Sequence, residues 1–309
     1  MMEFLIETRD YGGLGRGLTT GIANVCVETG QLARNQARMV AALDAFAAEG
    51  VNLALFPEYG LSGICLPEDP DTPAYLERAN LQAQLPWLRE TVAPYLAGGM
   101  EYIAVNGMAP DGCGGFYNVT LVMDDSGRIE LEPSRTYRKT FLPGLEKKLA
   151  VSGVNDRLVL DTPYGRMGFL TCYDICFPQL ITELVYDEHV DILVVLSAWR
   201  RQGKREYPGL DVREDWIYQR QWETLLPALA YQYQVWLLAA NAVGPHAEAG
   251  SDYCGCSGIW APSGLELMKG SDSRESLLIL KNMDIRRALD IERLSFSCVA
   301  YYSETRGCV

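Results

Sequence analysis

Two apolar runs, "IANVCVE" (22–28) and "VNLALFPE" (51–58), bracket a stretch of helical period, and that succession limits the chain to a layered α/β fold. Between them, "RNQARMVAALDAFAAEG" sets Met39, Val40, Leu43, Phe46 and Ala47 at helical spacing and stops on Gly50, while Pro57 stops the second run. This is a β-α-β unit. Next, "EYIAVNGMA" (101–109), "FYNVTLVMD" (116–124) and "RIELEPSRTY" (128–137) read as strands, with "DDSG" (124–127) as the hairpin turn between the last two. "RMGFLT" and "VDILVVLSAW" repeat the strand pattern on either side of a predicted helix from Pro178 to about Glu188. A long helix, "EDWIYQRQWETLLPALAYQYQ" (214–234), bent or interrupted at Pro227, leads to the strand "VWLLAAN". "CSGIWAPSGLELMKG" and "SLLILKNMDI" close the pattern as strands around a Pro-Ser-Gly turn.

No repeat, low-complexity tract or Gly/Ser linker divides the chain, which predicts a single domain over 1–309, with an N-terminal arm (1–18) and a C-terminal tail (about 286–309). The glycines of "YGGLGRG" neither follow a predicted strand nor open a predicted helix, so they do not make a dinucleotide-binding loop. With 27 basic against 40 acidic residues the formal charge is -13, and the average surface repels nucleic acid and anionic membranes. A small molecule or another protein is the expected partner. No run approaches the roughly 18 apolar residues of a membrane span, and Glu3 and Glu7 stand where a secretion signal carries basic residues. The nine cysteines, odd in number and scattered from Cys26 to Cys308, fit thiols of a reducing compartment, so a cytoplasmic protein is expected.

Three reactive side chains directly follow predicted strands: Glu58 in "LALFPEYGLSG", Lys139 in "RTYRKTFLPG" and Cys172 in "GFLTCYDICFP". The crevice beyond strand carboxyl ends is where α/β folds bind ligands, so the three are expected to converge. A thiol, an ammonium and a carboxylate suffice for acyl transfer from an amide: nucleophile, charge stabiliser and proton carrier. A sharp turn after Cys172 also offers the Tyr173 N–H to a developing oxyanion.

In order and spacing these blocks resemble the three catalytic blocks of the nitrilase superfamily of carbon-nitrogen hydrolases. The likeness extends over roughly residues 21–285, through "GFYNVTLVMDDSGRI", "DILVVLSAW", "LLAANAVG" and "CSGIWAPSG". It implies a four-layer α-β-β-α sandwich, with Glu58 as general base, Lys139 as oxyanion stabiliser and Cys172 as nucleophile. It also implies that Glu146, in "PGLEKK", is the second glutamate that orients the lysine, that neither metal nor organic cofactor is used, and that the protein is a homodimer or higher homo-oligomer. "CYD" resembles the amidase and carbamoylase branches rather than nitrilases proper, which place Trp-Glu after the cysteine.

The expected reaction is hydrolysis of a small linear amide or carbamoyl compound through a cysteine thioester. Alternatives are acyl transfer to an amine, nitrile hydrolysis, and a non-catalytic binding protein on the same fold. Tyr59 and Trp199 are candidate pocket walls, and Arg200 and Arg201 in "WRRQGKRE" are candidate carboxylate binders; a solvated loop or subunit contact is the alternative for those arginines. Glu68, Asp69 and Asp71 in "LPEDPDTPAYLE" either select a cationic amine or form a polar surface loop. Cys176 is either a resolving thiol or a core residue, and Cys254 and Cys256, with only His189 and His246 in the chain, do not assemble a zinc set. A Cys–His pair is the competing catalytic arrangement and requires His189 or His246 to approach Cys172. "NVT" (118–120) matches a glycosylation acceptor but lies in a predicted strand.

Overall fold

The computed structural model describes residues 3–12, 17–154 and 156–306. The first part of the chain supplies strands β1 (Leu5–Asp10), β2 (Leu18–Asn24), β3 (Leu53–Leu55), β4 (Tyr102–Pro110), β5 (Phe116–Asp124) and β6 (Thr136–Arg138). Helix α1 (Leu32–Ala48) joins β2 to β3, and the short helices α2 (Thr72–Ala79), α3 (Leu81–Trp87) and α4 (Ala93–Ala97) precede β4. Next come β7 (Val159–Thr162), β8 (Gly165–Thr171), α5 (Pro178–Thr182), β9 (Ile192–Ser197) and the hairpin β10 (Arg205–Tyr207) and β11 (Val212–Glu214). They are followed by α6 (Ile217–Tyr233), β12 (Trp236–Asn241), the ribbon β13 (Val243–Pro245) and β14 (Asp252–Cys254), then β15 (Gly258–Trp260) and β16 (Glu266–Lys269). β17 (Ser276–Met283), α7 (Ile285–Arg293) and α8 (Cys298–Arg306) complete the described chain.

Two sheets stack face to face, one in the order β1-β17-β2-β3-β4-β5-β6 and the other β16-β15-β12-β9-β8-β7. Period-two alternation builds the layers. In β9, Ile192, Val194 and Leu196 enter the core between the sheets with Leu53 and Leu55 of β3, whereas Leu193 and Val195 face Leu226 and Ala230 of α6. On the far side of the first sheet, Met39, Leu43 and Phe46 of α1 pack with Ala54 and Ile103. The result is the expected four-layer α-β-β-α sandwich. Because both faces of β9 and β12 are covered, those strands read as unbroken apolar runs.

Several local expectations change. Leu5–Asp10 of the expected N-terminal arm is an edge strand, paired in parallel with β17, where it covers the backbone of "SLLILKNM". Residues 1–2 and 13–16 of that arm lie outside the described residues. The expected tail forms α7, seated by Ile285, Ala288 and Leu289 in the inter-sheet core, and α8, whose Val299 packs against the cluster around α6; residues 307–309 are outside the described set. Of the strand expected at 128–137, Thr136 and Tyr137 pair with β5, because Pro133 interrupts the preceding segment. Helix α6 runs unbroken through Pro227, with Trp222, Leu226, Leu229 and Ala230 burying both halves. No helix among the described residues is long and apolar enough to cross a membrane.

Candidate active site

Four strand ends meet at one end of the sandwich. Glu58 follows β3, Lys139 follows β6 and Cys172 follows β8, while Ser197 closes β9. The Glu58 N–H donates to the Ser197 carbonyl at 3.2 Å, and the Ala198 N–H donates to Glu58 Oε2 at 2.8 Å, so the carboxylate of one sheet is fixed by the other. Lys139 Nζ lies 2.8 Å from Glu58 Oε1 and 2.7 Å from Glu146 Oε2. Glu58, Lys139 and Glu146 are 2%, 1% and 8% exposed, deep enough for these charges to act through little water. Cys172 is buried beside them and is coupled to both Glu58 and Lys139.

Both turns at the site use left-handed backbone. Tyr59, after the glutamate, has φ 56°, and Cys172 itself has φ 50°. A non-glycine residue in this region costs about 1 kcal/mol or more, a strain that concentrates where a fold must aim a particular side chain. At Cys172 the chain leaves β8 and enters a 3-10 turn over Cys172–Cys176, whose leading N–H groups, Tyr173 among them, have no acceptor within the turn. Asp174 locks this turn: its carboxylate accepts from Thr171 N at 3.2 Å, Tyr137 Oη at 2.7 Å and Phe141 N at 2.8 Å. One buried acid therefore ties the cysteine turn to both flanks of Lys139.

The charges oppose one another in an informative way. Burial works against the Lys139 ammonium, yet Glu146 and Glu58 outweigh it and hold its pKa well above that of a free lysine. Burial, then the Glu58 charge, push the Cys172 thiol well above its ordinary range, with Lys139 and Ser197 opposing. The resting sulfur is a neutral thiol next to a proton acceptor. Burial likewise raises Asp174 to about 6.

Two features of this cluster were not anticipated as site residues from the sequence. Asn118, the first residue of the "NVT" triplet, donates Nδ2 protons to Glu58 Oε1 at 2.7 Å, Tyr59 Oη at 2.8 Å and Glu146 Oε1 at 2.5 Å. Tyr59 Oη in turn donates to Glu146 Oε1 at 2.5 Å. The second feature is Ser197, whose fully buried hydroxyl has no other hydrogen-bond partner among the described residues and favours the Cys172 thiolate. An uncharged residue inside a strand looks like any other strand residue. A buried Asn or Ser in a run of apolar neighbours was the signal available, since such polar groups need partners.

A cavity of about 910 Å³ opens over the cluster, within the size range of small-molecule sites. Glu58, Lys139, Glu146, Cys172, Tyr59, Tyr173, Trp199 and Arg200 all line it. Trp199 is held by two bonds, its backbone N–H to Asn241 Oδ1 at 2.7 Å and its Nε1 to the Tyr218 carbonyl at 2.8 Å. Arg201, also a candidate, is turned away: it is not among the lining residues, lies 3.4 Å from Asp272 Oδ2 and stacks at 5.6 Å from Trp216. The acids Glu68, Asp69 and Asp71 are outside the lining as well, and the segment after them folds as α2.

His246 lines the cavity, but its Nδ1 accepts from the Glu248 N–H at 3.0 Å, and burial lowers its pKa to about 4, so it is neutral and engaged elsewhere. His189 is outside the lining. Cys176 shares the cavity, with its thiol raised by burial to about 11, while Cys254 and Cys256 are free buried thiols. Among the described residues no group of three or more His, Cys, Asp or Glu side chains is arranged to hold a metal.

Fold and site together define the nitrilase class of α-β-β-α sandwich. Residues 19–287 match the carbon-nitrogen hydrolase family, and the chain belongs to that family. Among curated proteins it is 32% identical over 146 residues to the deaminated glutathione amidase of Dictyostelium discoideum, an alignment covering 44% of each chain. It is 34% identical over 83 residues to the pantetheinase of Canis lupus familiaris, covering 27% of this chain and 15% of that one. The chain thus matches less than half the length of these relatives. The fold superposes on an amidase of the nitrilase superfamily from Nesterenkonia AN1, solved as a cysteine-to-alanine mutant, with TM-score 0.70, 19% identity and coverage of 92% and 98%. The glutamine-dependent NAD+ synthetase of Acinetobacter baumannii gives TM-score 0.66 at 19% identity, covering 85% of this chain and 45% of that one.

Proposed function

We propose that the protein hydrolyses a carbon-nitrogen bond of a small linear amide through a thioester on Cys172. The observation that carries this is the buried Lys139 ammonium held at 2.8 Å and 2.7 Å by Glu58 and Glu146 in the cavity that contains Cys172.

Since the resting thiol is neutral, its proton passes to Glu58 as sulfur attacks the carbonyl carbon, rather than beforehand. Lys139 and the Tyr173 N–H hold the negative oxygen of the tetrahedral intermediate. Collapse breaks the C–N bond, and the amine departs with the proton that Glu58 returns. Glu58 then takes a proton from water as it attacks the thioester, and the Cys172 sulfur leaves, recovering that proton. Glu146, bonded to Lys139, Asn118 and Tyr59, acts by orienting the ammonium.

The test is incubation with a panel of linear amides while recording ammonia release and intact protein mass. Ammonia and a transient acyl adduct are expected, both absent from Cys172→Ala. Turnover that persists in Cys172→Ala would overturn the proposal.

A further inference from the structure

Two arginines share one ring at the cavity wall. The Arg200 guanidinium lies 5.0 Å and that of Arg205 5.9 Å from the centroid of Tyr218, and all three residues line the cavity. Like charges gathered at one aromatic face repel unless anions accompany them. Arg200 has such an anion, since it pairs with Glu248. Arg220, the third lining arginine, lies 3.3 Å from Glu214. Among the described residues Arg205 has no ion pair, and its Nη1 donates to the Lys204 carbonyl at 2.9 Å. Glu214 stands opposite Arg205 in the β10–β11 ladder, but its carboxylate is turned to the Trp216 N–H at 3.0 Å and to Arg220.

Charge is therefore polarised along the cavity. At the exposed end, Arg200, Arg205 and Arg220 face Glu248 and Glu214, leaving one cation in surplus; at the buried end, Lys139 faces Glu58 and Glu146, leaving one carboxylate in surplus. A ligand with a neutral amide at one end and an anion at the other is favoured in one direction only. Its anion is repelled from the floor and drawn to the mouth, while its amide enters toward Cys172. The surplus cation belongs to a chain of formal charge -13, so it is a local reversal rather than a reflection of the average surface.

We infer that Arg205 is the anion subsite of this cavity, and that the substrate is a linear amide carrying a carboxylate at the end remote from the reacting carbonyl. This assignment of substrate class rests on the amide chemistry proposed above. It moves carboxylate recognition from Arg200 and Arg201, which are engaged with Glu248 and Asp272, to Arg205.

The experiment compares monoamides of linear dicarboxylic acids, over increasing chain length, with their methyl esters. Calorimetric binding is measured on Cys172→Ala, and steady-state rates on the protein with Cys172 intact. At one or more chain lengths, the acid is expected to bind about tenfold or more tighter than its ester, as a charge-assisted bond to guanidinium implies. Added salt should erode that preference. Arg205→Gln should abolish it by raising Kd and KM for the acid, with kcat retained and the ester unaffected. Equal binding of acid and ester at every length, or equal weakening of both by Arg205→Gln, would overturn the subsite. If the acid is preferred in binding yet neither compound is turned over, the subsite stands and the amide-hydrolase proposal is what fails.

Discussion

Asn118 Nδ2 lies 2.7 Å from Glu58 Oε1, although β4 separates the strand that carries the amide from the strand that leads to the carboxylate. The bridge is Asn106 on β4, which donates to Asn118 Oδ1 at 2.8 Å and accepts from the Tyr59 N–H at 3.0 Å. With its oxygen occupied in this way, Asn118 presents only N–H groups to Glu58 and Glu146. It therefore holds two buried carboxylates in place without adding charge.

Changing this one amide should move the chemistry in a predictable direction. Asn118→Leu removes a donor to ionised groups, and turnover should fall by about ten- to a hundredfold. Asn118→Asp places a third carboxylate beside Glu58 and Glu146, and like charge raises the pKa of the general base. The acid limb of the kcat/KM pH profile should then shift to higher pH. An unmoved limb in Asn118→Asp would show that Asn118 does not act on the base.

Glu58 and Cys172 give a pair of effects with opposite signs. The Glu58 charge raises the thiol pKa, so Glu58→Gln should move the pH profile of maleimide labelling at Cys172 to lower pH. Turnover should nonetheless drop by about a hundred- to ten-thousandfold, because the proton acceptor is gone. Intact mass, with Cys172→Ala correcting for exposed Cys113, reads the labelling. A profile shifted upward would mean that the carboxylate does not govern the sulfur.

Lys139 between two acids makes removal of the cation costly. Lys139→Met leaves Glu58 and Glu146 buried without a counter-charge, and urea denaturation should show a loss of about 3–5 kcal/mol. Lys139→Met combined with Glu146→Gln removes one of the stranded charges, so it should recover part of that stability while remaining inactive. Equal stability in the single and double variants would argue that the acids are not coupled through the ammonium.

What the sequence revealed follows from how each residue signals its place. β9 and β12 are covered on both faces, so their apolar runs are unbroken, and the reactive residues after β3, β6 and β8 stand out against such runs. β1 is exposed along most of its length and has no apolar period to detect. The α2–α4 region holds helices of 8, 7 and 5 residues, with Pro86 inside α3, Pro94 in the first turn of α4 and a π-helical stretch, Leu88–Val92, joining those two, so no regular 3.6-residue period emerges. Arg201 and Arg205 lie four residues apart across the irregular stretch that leads into β10, where spacing does not dictate direction, and only the structure separates the arginine bound to Asp272 from the one at the cavity.

The last prediction concerns two buried groups whose effects on stability oppose each other between about pH 4 and pH 6. Asp174 has its pKa raised, chiefly by burial, from 3.8 to about 6, so the folded state holds its proton more tightly than the unfolded chain does. Its contribution is full below pH 3.8 and is lost as pH rises to about 6, a change of about 3 kcal/mol. His246 is lowered, again chiefly by burial, from 6.5 to about 4, so its contribution is full above pH 6.5 and is lost as pH falls toward 4, by a similar amount of about 3 kcal/mol. Acidification thus strengthens one site while it weakens the other, and their sum is nearly flat. Asp174→Asn should make the protein lose stability more steeply on acidification than the parent, and His246→Gln should make it lose less or even gain. Urea denaturation from pH 4 to 7, taken as the difference between each variant and the parent, separates these slopes from those of surface carboxylates. Two variant curves parallel to the parent would mean that neither group titrates differently in the folded and unfolded chains.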